Sequence, residues 1–170
     1  MQKYTIDTEW FDEGGYCQVY PIKDHKQLVF KEFSDKRRAS MSYLLNKKLA
    51  KYDLAPKVFG QLQRLKYIYE DMNITTNWGY ITEYAKTYEA KTKISMKQIQ
   101  SLVSNIEYHT GLKFWDCHWY NVGLVKRGRS QKLVCIDTGK ESFDPLANAW
   151  GNPDPGPKCS YCNKYLCKCE

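Results

Sequence analysis

Long apolar runs are absent from this 170-residue chain. The longest, such as QLVF and KLVCI, are far shorter than the ~20 residues that a membrane-spanning helix needs, so no transmembrane helix is predicted. The N-terminus, MQKYTIDTEW, lacks a basic segment followed by an apolar stretch and does not resemble a secretion signal. Internal repeats and low-complexity segments are also absent. We therefore expect a globular cytoplasmic protein with no membrane partner.

Acidic residues are in the minority, with 19 Asp and Glu against 26 Lys and Arg, which gives a formal net charge of +7. A positive surface attracts nucleic acid, nucleotide phosphates or acidic proteins. Much of this charge lies on residues 36–51, where a solvated helix face explains it more simply than a dedicated nucleic-acid patch. The hydrophobic content of 42% is sufficient for one core, or for two small lobes that share a cleft.

Strand patterns dominate the first half of the chain. β-branched and aromatic residues at 16–22 and 27–33 flank a polar stretch, which predicts an antiparallel hairpin introduced by Gly14-Gly15. Two further strands are predicted at 65–70 and 78–84, with the turn-prone segment 71–77 between them.

Two amphipathic helices are predicted. The first covers about residues 34–52 and has apolar residues at helical spacing: Met41, Leu45, Leu49 and Tyr52. The second begins at the capping box Ser95-x-x-Gln98 and ends at Gly111. Its apolar stripe follows the i, i+3, i+4, i+7 pattern: Ile99, Leu102, Val103 and Ile106.

A second hairpin is predicted where strands at 122–125 and 133–136 flank a basic turn. In that register Asn121, just before the first strand, lies across from Asp137, just after the second. Asp116 stands five residues before Asn121, on the loop that joins the helix to the hairpin, so a second carboxylate approaches the same point. Carboxylate and amide oxygens, with positions left open for phosphate oxygens, suit Mg²⁺.

Lys31 is the candidate phosphate ligand of the first half. Because side chains alternate along a strand, Lys31 shares a face with Val29 and Phe33, and its ammonium is predicted to lie beside an apolar cleft. Gly14 and Gly15 precede this hairpin, and a glycine turn brings backbone N–H groups close to phosphates. A neighbouring lysine then neutralises the phosphate charge.

The order of these segments resembles the protein-kinase-like superfamily. FDEGGYCQVY followed by LVFKEF is similar to its glycine-rich loop and strand lysine, and DCHWYN followed by IDTG is similar to its catalytic loop and metal-binding segment. The D-x-H-x-x-N pattern resembles the aminoglycoside-phosphotransferase branch. The likeness covers about residues 9–143.

The resemblance implies a role for each candidate residue. Asp116 would be the catalytic base, and Lys31 would bind the α- and β-phosphates of ATP. Further residues would hold Mg²⁺ or contact the nucleotide. These are the glycine-loop residues Gly14 and Gly15, the hinge residues Glu83 and Ala85, whose backbone would meet adenine, and the Mg²⁺ ligands Asn121 and Asp137.

Two features depart from the family pattern. The helix after the strand lysine should carry a glutamate that pairs with it, but no acidic residue stands mid-helix, and the expected position falls near Ser42 or Tyr43. Only 31 residues follow Gly139, which leaves no room for the usual helical lobe or its alanine-proline-glutamate motif. These departures keep open a pseudokinase that serves as a binding module.

Four of the seven cysteines crowd into the last dozen residues: Cys159, Cys162, Cys167 and Cys169. Without a secretion signal, this crowding indicates metal binding rather than disulfides. C-x₂-C-x₄-C-x-C offers the four thiolates of a tetrahedral Zn²⁺ site, although its C-x-C pair is tighter than the usual spacing. In such a site one thiolate could be replaced by His25, His109 or His118, or by a ligand from a partner. The alternatives to zinc are an iron–sulfur cluster and a redox role.

Together these features predict an α+β, two-lobed kinase-like fold with a truncated C-lobe and a small metal-binding tail. Residues 1–85 would form the N-lobe, an antiparallel sheet with one helix. Residues 86–143 would form the C-lobe with the catalytic loop, and 144–170 a Pro-rich linker and the cysteine tail. The predicted function is ATP- and Mg²⁺-dependent phosphoryl transfer to a hydroxyl of a small molecule or protein. The alternatives are the pseudokinase module and a zinc-tailed nucleic-acid-binding protein.

Overall fold

The computed structural model describes residues 4–8, 12–13 and 17–143 as a mixed α+β fold with antiparallel sheets. The elements of this described part are, in chain order, β1 (Asp12–Glu13), β2 (Cys17–Ile22), β3 (His25–Phe33), α1 (Lys36–Ala50), β4 (Val58–Gln63), β5 (Lys66–Tyr69), β6 (Met72–Thr75), β7 (Gly79–Glu83), α2 (Thr87–Lys93), α3 (Met96–Thr110), β8 (Val122–Arg127) and β9 (Ser130–Cys135). Two 3₁₀ turns, Trp119–Asn121 and Lys140–Ser142, precede β8 and follow β9.

The main sheet has five strands in the order β1-β2-β3-β7-β4, while β5–β6 and β8–β9 are separate hairpins. The predicted first hairpin is confirmed as β2–β3. Strand β3 lies between β2 and β7 and is buried from Leu28 to Phe33. One face of the sheet packs into an apolar cluster that includes Leu28, Phe30 and Ile81. Lys31 lies on the alternate face, which leaves it available to the second half of the chain.

A close approach of two strands fixes the position of Lys31. Gly79 begins β7 next to β3, and a Cβ atom added there would lie 2.1 Å from the backbone carbonyl oxygen of Lys31. Such a distance is far inside van der Waals contact, so only glycine fits without moving β7 away.

Helix α1 is confirmed, and its predicted buried face is correct for Leu49 and Leu45, which pack in or against the core, but wrong for the other two residues. Asp35 caps the helix by accepting a hydrogen bond of 2.9 Å from Arg38 N. Met41 and Tyr52, two members of the predicted stripe, are exposed. The face against the protein is formed by Ala39, Ser42, Asn46 and Leu49. Half of these residues are polar, so a purely apolar pattern could not locate the face.

Helix α3 follows its predicted signals closely. Ser95 and Gln98 form the capping box, and Gly111 ends the helix in the left-handed conformation with φ of 70°. The main core lies between this helix, the end of α1 and the second hairpin. Its buried members include Leu49, Ile99, Leu102, Ile106, Phe114, Val122 and Cys135.

One prediction of secondary structure is wrong, and two elements were not predicted. Residues 71–77, predicted as a turn, contain strand β6, which pairs with β5 around the tight turn at Glu70 and Asp71. Strand β4 was not predicted, because its VFGQLQ sequence lacks clear alternation. The seven-residue helix α2 was also not predicted, because it lacks a side-chain cap. Residues 144–170, with the predicted linker and cysteine tail, lie outside the described residues.

Within the described ranges, none of the helices is long and apolar enough to cross a membrane.

Candidate functional site

Lys31 reaches from the main sheet to the second half of the chain. Its side chain is only 8% exposed, and Nζ donates a hydrogen bond to the backbone carbonyl of Ile136, directly before Asp137. Burial lowers the pKa of Lys31, but Tyr80, Cys17 and Asp137 raise it, and the balance lies above its ordinary value. Lys31 is therefore a buried ammonium at neutral pH.

Asp137 is held in a fixed orientation by two donors. Gly139 N donates to Oδ1 at 2.9 Å, and Ser142 Oγ donates to Oδ2 at 2.7 Å. Each carboxylate oxygen has two lone pairs and uses one of them here, so each oxygen can still bind a cation. The carboxylate thus belongs to the residue directly after the carbonyl that Lys31 contacts, and the following 3₁₀ turn sets its orientation.

The register of the second hairpin differs by one residue from the prediction. Ile136 N donates to Asn121 O at 2.9 Å, so Asn121 faces Ile136 instead of Asp137. The reason is the two-residue turn at Gly128 and Arg129, which is tighter than the predicted basic turn. Asp137 lies one position beyond this pair, so the two predicted Mg²⁺ ligands still leave adjacent strands at the same end of the hairpin.

The side-chain nitrogen of Asn121 is bound to the loop that contains Asp116. Nδ2 donates to both the backbone oxygen and Oδ2 of Asp116, each at 2.9 Å. Because the nitrogen is occupied, the amide oxygen Oδ1 points away from these partners. Among the described residues Oδ1 has no hydrogen bond, so it is available as a metal ligand.

His118 orders the same loop. Tyr120 N donates to His118 Nδ1 at 3.3 Å, which leaves the proton of a neutral imidazole on Nε2, 3.3 Å from Asp116 Oδ1. The hydrogen bond from His118 lowers the pKa of Asp116 against the opposing effect of burial, and Asn121 lowers it further. Asp116 is therefore a carboxylate at neutral pH.

Cys117 does not serve as a nucleophile in this loop. Burial, reinforced by the neighbouring Asp116 charge, raises the pKa of its thiol to about 12. A thiol with that pKa is not ionised at neutral pH, and the thiolate is the reactive form.

A hydroxyl network lies where the kinase resemblance predicts a helix glutamate. Ser42 Oγ lies 2.8 Å from both Tyr80 OH and Thr138 Oγ1, and the last two atoms are 3.2 Å apart. All three side chains are buried. Burial raises the pKa of Tyr80, so its hydroxyl stays neutral. The network links α1 to the residue that follows Asp137, without a charged partner for Lys31 from the helix.

In the predicted hinge, Ala85 lies between two residues whose backbone amides are hydrogen-bonded. Tyr84 N donates to Gln27 O at 2.8 Å, and Lys86 N donates to Leu124 O at 2.9 Å. Between them, the amide and carbonyl of Ala85 make no hydrogen bond with any described residue. An unpaired backbone donor and acceptor on a connecting strand is the feature that an adenine edge requires. Glu83 contributes differently, since its carboxylate binds Lys57 N and Arg127.

The two residues that could hold Mg²⁺ supply only part of the coordination that the ion needs. Asn121 Oδ1 and the Asp137 carboxylate are hard oxygen ligands, and phosphate oxygens have to complete the coordination. Within the described ranges, no three His, Cys, Asp or Glu side chains cluster as a metal centre.

Two groups of predicted ligands lie outside the described residues. They are the glycine-loop residues Gly14 and Gly15, and the proposed Zn²⁺ ligands Cys159, Cys162, Cys167 and Cys169. In contrast, Tyr80, Thr138 and Ser142 belong to the site but were not predicted. Each has a hydroxyl group in or beside a strand sequence. Because a buried hydroxyl needs a hydrogen-bond partner, such residues could have been listed as candidates for a polar network.

Neither models of known protein families nor the curated proteins give a match to this chain.

Proposed function

We propose that this protein is an ATP-dependent phosphotransferase of kinase-like architecture. One observation carries the proposal: the buried ammonium of Lys31 bonds to the carbonyl beside Asp137, while Asn121 and Asp116 are joined at the same end of the hairpin. A cation and three oxygen-bearing side chains thus converge from two parts of the chain. Triphosphate binding with Mg²⁺ requires this combination.

In the proposed reaction, Asp116 accepts the proton of the acceptor hydroxyl. The hydroxyl oxygen forms a bond to the γ-phosphorus, and the bond from that phosphorus to the bridging oxygen breaks, so ADP leaves with the electron pair. Lys31 offsets charge on the α- and β-phosphates, and the Ala85 backbone orients adenine. Mg²⁺, held by Asn121 and Asp137, would supply charge neutralisation across the β- and γ-phosphates.

The test separates binding from turnover. Nucleotide affinity is measured by calorimetry and ADP release by a coupled assay with water as acceptor, for wild type, Asp116→Asn and Lys31→Met. Asp116→Asn is expected to keep ATP affinity and lose at least about 100-fold in turnover, because general base catalysis contributes about 10²–10⁴-fold. Lys31→Met is expected to weaken binding as well.

A matched control is Asp71→Asn. Asp71 is exposed in the β5–β6 turn and has a positive φ of 62°, which asparagine also adopts. The proposal fails if wild type binds no ATP, or if Asp116→Asn turns over ATP like Asp71→Asn.

A nucleotide-binding module without catalysis is the second candidate. The neutral network of Ser42, Tyr80 and Thr138 favours it, because Lys31 lacks the helix carboxylate that orients its counterpart in active kinases. ATP binding without turnover that depends on Asp116 would decide for this module. Zn²⁺ in the cysteine tail and a cytoplasmic location remain predictions from the sequence.

A further inference from the structure

An exposed aromatic ring lies next to the proposed catalytic carboxylate. Tyr120 is 73% exposed and directly precedes Asn121. Its ring centroid lies 5.9 Å from the ring of His118, whose Nε2 is 3.3 Å from Asp116 Oδ1. A ring at that exposure contributes little to the core and is accessible to a ligand that approaches the loop.

A lysine lies near this ring, and a second aromatic ring with a nearby lysine lies at the other end of the loop. Lys91 Nζ lies 6.0 Å from the Tyr120 ring centroid. Trp115, which directly precedes Asp116, is 43% exposed, and Lys113 Nζ lies 5.5 Å from its ring. We call Tyr120 with Lys91, and Trp115 with Lys113, the two ring–lysine pairs. They bracket the catalytic loop in sequence.

The charge of the surrounding segment has the same sign. Residues 86–143 contain ten Lys and Arg but five Asp and Glu, so the part of the chain that carries the loop is basic. A basic surface collects polyanions, and the phosphate backbone of nucleic acid is the most highly charged of them.

From these observations we infer that the hydroxyl acceptor is a single-stranded nucleic acid. An exposed base would stack on Tyr120, and Lys91 would contact a backbone phosphate. Aromatic rings interleaved with cations bind single strands, because every base has a π-face and every linkage carries a charge. An acidic peptide would use the lysines but not the rings, so the ring–lysine pairs favour nucleic acid.

This inference rests on the proposed function for the role of Asp116. The acceptor oxygen would come from a sugar hydroxyl, whose proton passes to Asp116. The products would be the phosphorylated sugar and ADP, so the transfer needs no further reactant.

Binding is tested first, without ATP, by anisotropy of a short fluorescein-labelled single-stranded RNA at low salt. Tyr120→Ala is expected to weaken binding about 5- to 100-fold, the range for loss of one stacked base. Tyr120→Phe keeps the ring and is expected to bind like wild type. The matched control is Tyr108→Ala, which removes an 83% exposed tyrosine from helix α3, outside the loop.

Two further measurements identify the class of ligand. Lys91→Gln is expected to reduce the slope of log Kd against log salt by about one, as loss of a phosphate contact does. AMP is expected to displace the RNA poorly, because a mononucleotide offers one base and one phosphate only. Efficient displacement by AMP would overturn the assignment to nucleic acid.

The inference is also overturned if wild type does not bind the RNA, or if Tyr120→Ala binds as tightly as Tyr108→Ala. Transfer of labelled phosphate from ATP to the bound RNA is the final measurement. If RNA binding depends on Tyr120 but the protein does not turn over ATP, the proposed function is wrong and RNA is not a phosphate acceptor. The nucleic-acid-binding site would still stand. ATP turnover without RNA binding would defeat this inference alone.

Discussion

Arg127, the last residue of β8, forms a two-point ion pair with Glu83, the last residue of β7. Nη1 lies 2.8 Å from Oε1, and Nη2 lies 2.9 Å from Oε2. Arg127 Nε also binds Asp53 Oδ1 at 2.6 Å, beyond the end of α1. One guanidinium therefore ties the second hairpin to the main sheet and to the segment after the helix, close to the proposed hinge.

Replacing this guanidinium should destabilise the fold. Arg127→Ala is expected to lower the free energy of unfolding by about 2 kcal/mol, because three hydrogen bonds between charged groups are lost. Among the described residues, Asp53 would keep only Lys132 as a partner, and Glu83 only the backbone amide of Lys57. Urea denaturation measures the change. Arg129→Ala is the control, since Arg129 is exposed in the adjacent turn. An equal loss in both variants would show that the ion pair is not responsible.

The pH dependence of turnover should reveal the His118 contact. A hydrogen bond from His118 holds the pKa of Asp116 below its ordinary value, against the effect of burial. Asp116 accepts a proton only when ionised, so the depressed pKa extends activity toward acid pH. His118→Ala should raise that pKa and move the acid limb of the pH–rate profile to higher pH.

The control for this experiment is His109→Ala, whose ring stacks on Tyr52 outside the loop. Circular dichroism at each pH checks that the variants remain folded. An acid limb that stays in place in His118→Ala would refute the role assigned to this hydrogen bond.

The hydroxyl network makes a separate prediction for stability and turnover. Ser42→Ala leaves Tyr80 and Thr138 without one buried partner and should cost about 1–2 kcal/mol of unfolding free energy. Because Thr138 adjoins Asp137, we also expect slower ATP turnover at unchanged pH optimum. Ser104→Ala, at an exposed position of α3, is the matched control and should change neither quantity.

Metal content tests the prediction for the cysteine tail. We expect one Zn²⁺ per chain by elemental analysis, and its loss in Cys162→Ser, because a tetrahedral site needs all four ligands. Cys17→Ser is the control, since Cys17 lies on β2 and outside the tail. A wild-type protein purified without bound metal, or a Cys162→Ser variant with full zinc content, would contradict the prediction.

Strong local signals made much of this fold predictable. The capping box at Ser95 and the glycine at 111 set α3 correctly, because both act within one turn of the helix. The alternation around Lys31 correctly predicted a buried lysine on β3. These features depend on neighbouring residues in the sequence, which a single chain reveals.

Features that depend on distant partners were harder to predict. The buried face of α1 includes Ser42, whose partners lie on β7 and after β9. The pairing of Asn121 with Ile136 depends on a turn that is two residues long, and one residue of register decides which side chains meet. The hydroxyl of Tyr80 in a strand sequence indicates a buried hydrogen bond, but only the folded chain shows that its partners include Thr138.

The joint between α1 and the segment after β9 combines two kinds of contact. Ser42 and Thr138 form a buried contact between uncharged hydroxyls, whereas Arg38 and Glu141 form an ion pair at 3.0 Å whose arginine is more exposed. Attraction between ions weakens as electrolyte is added, whereas contacts among uncharged hydroxyls are largely indifferent to it. The Ser42 contact therefore holds α1 in place at ionic strengths that weaken the Arg38 pair.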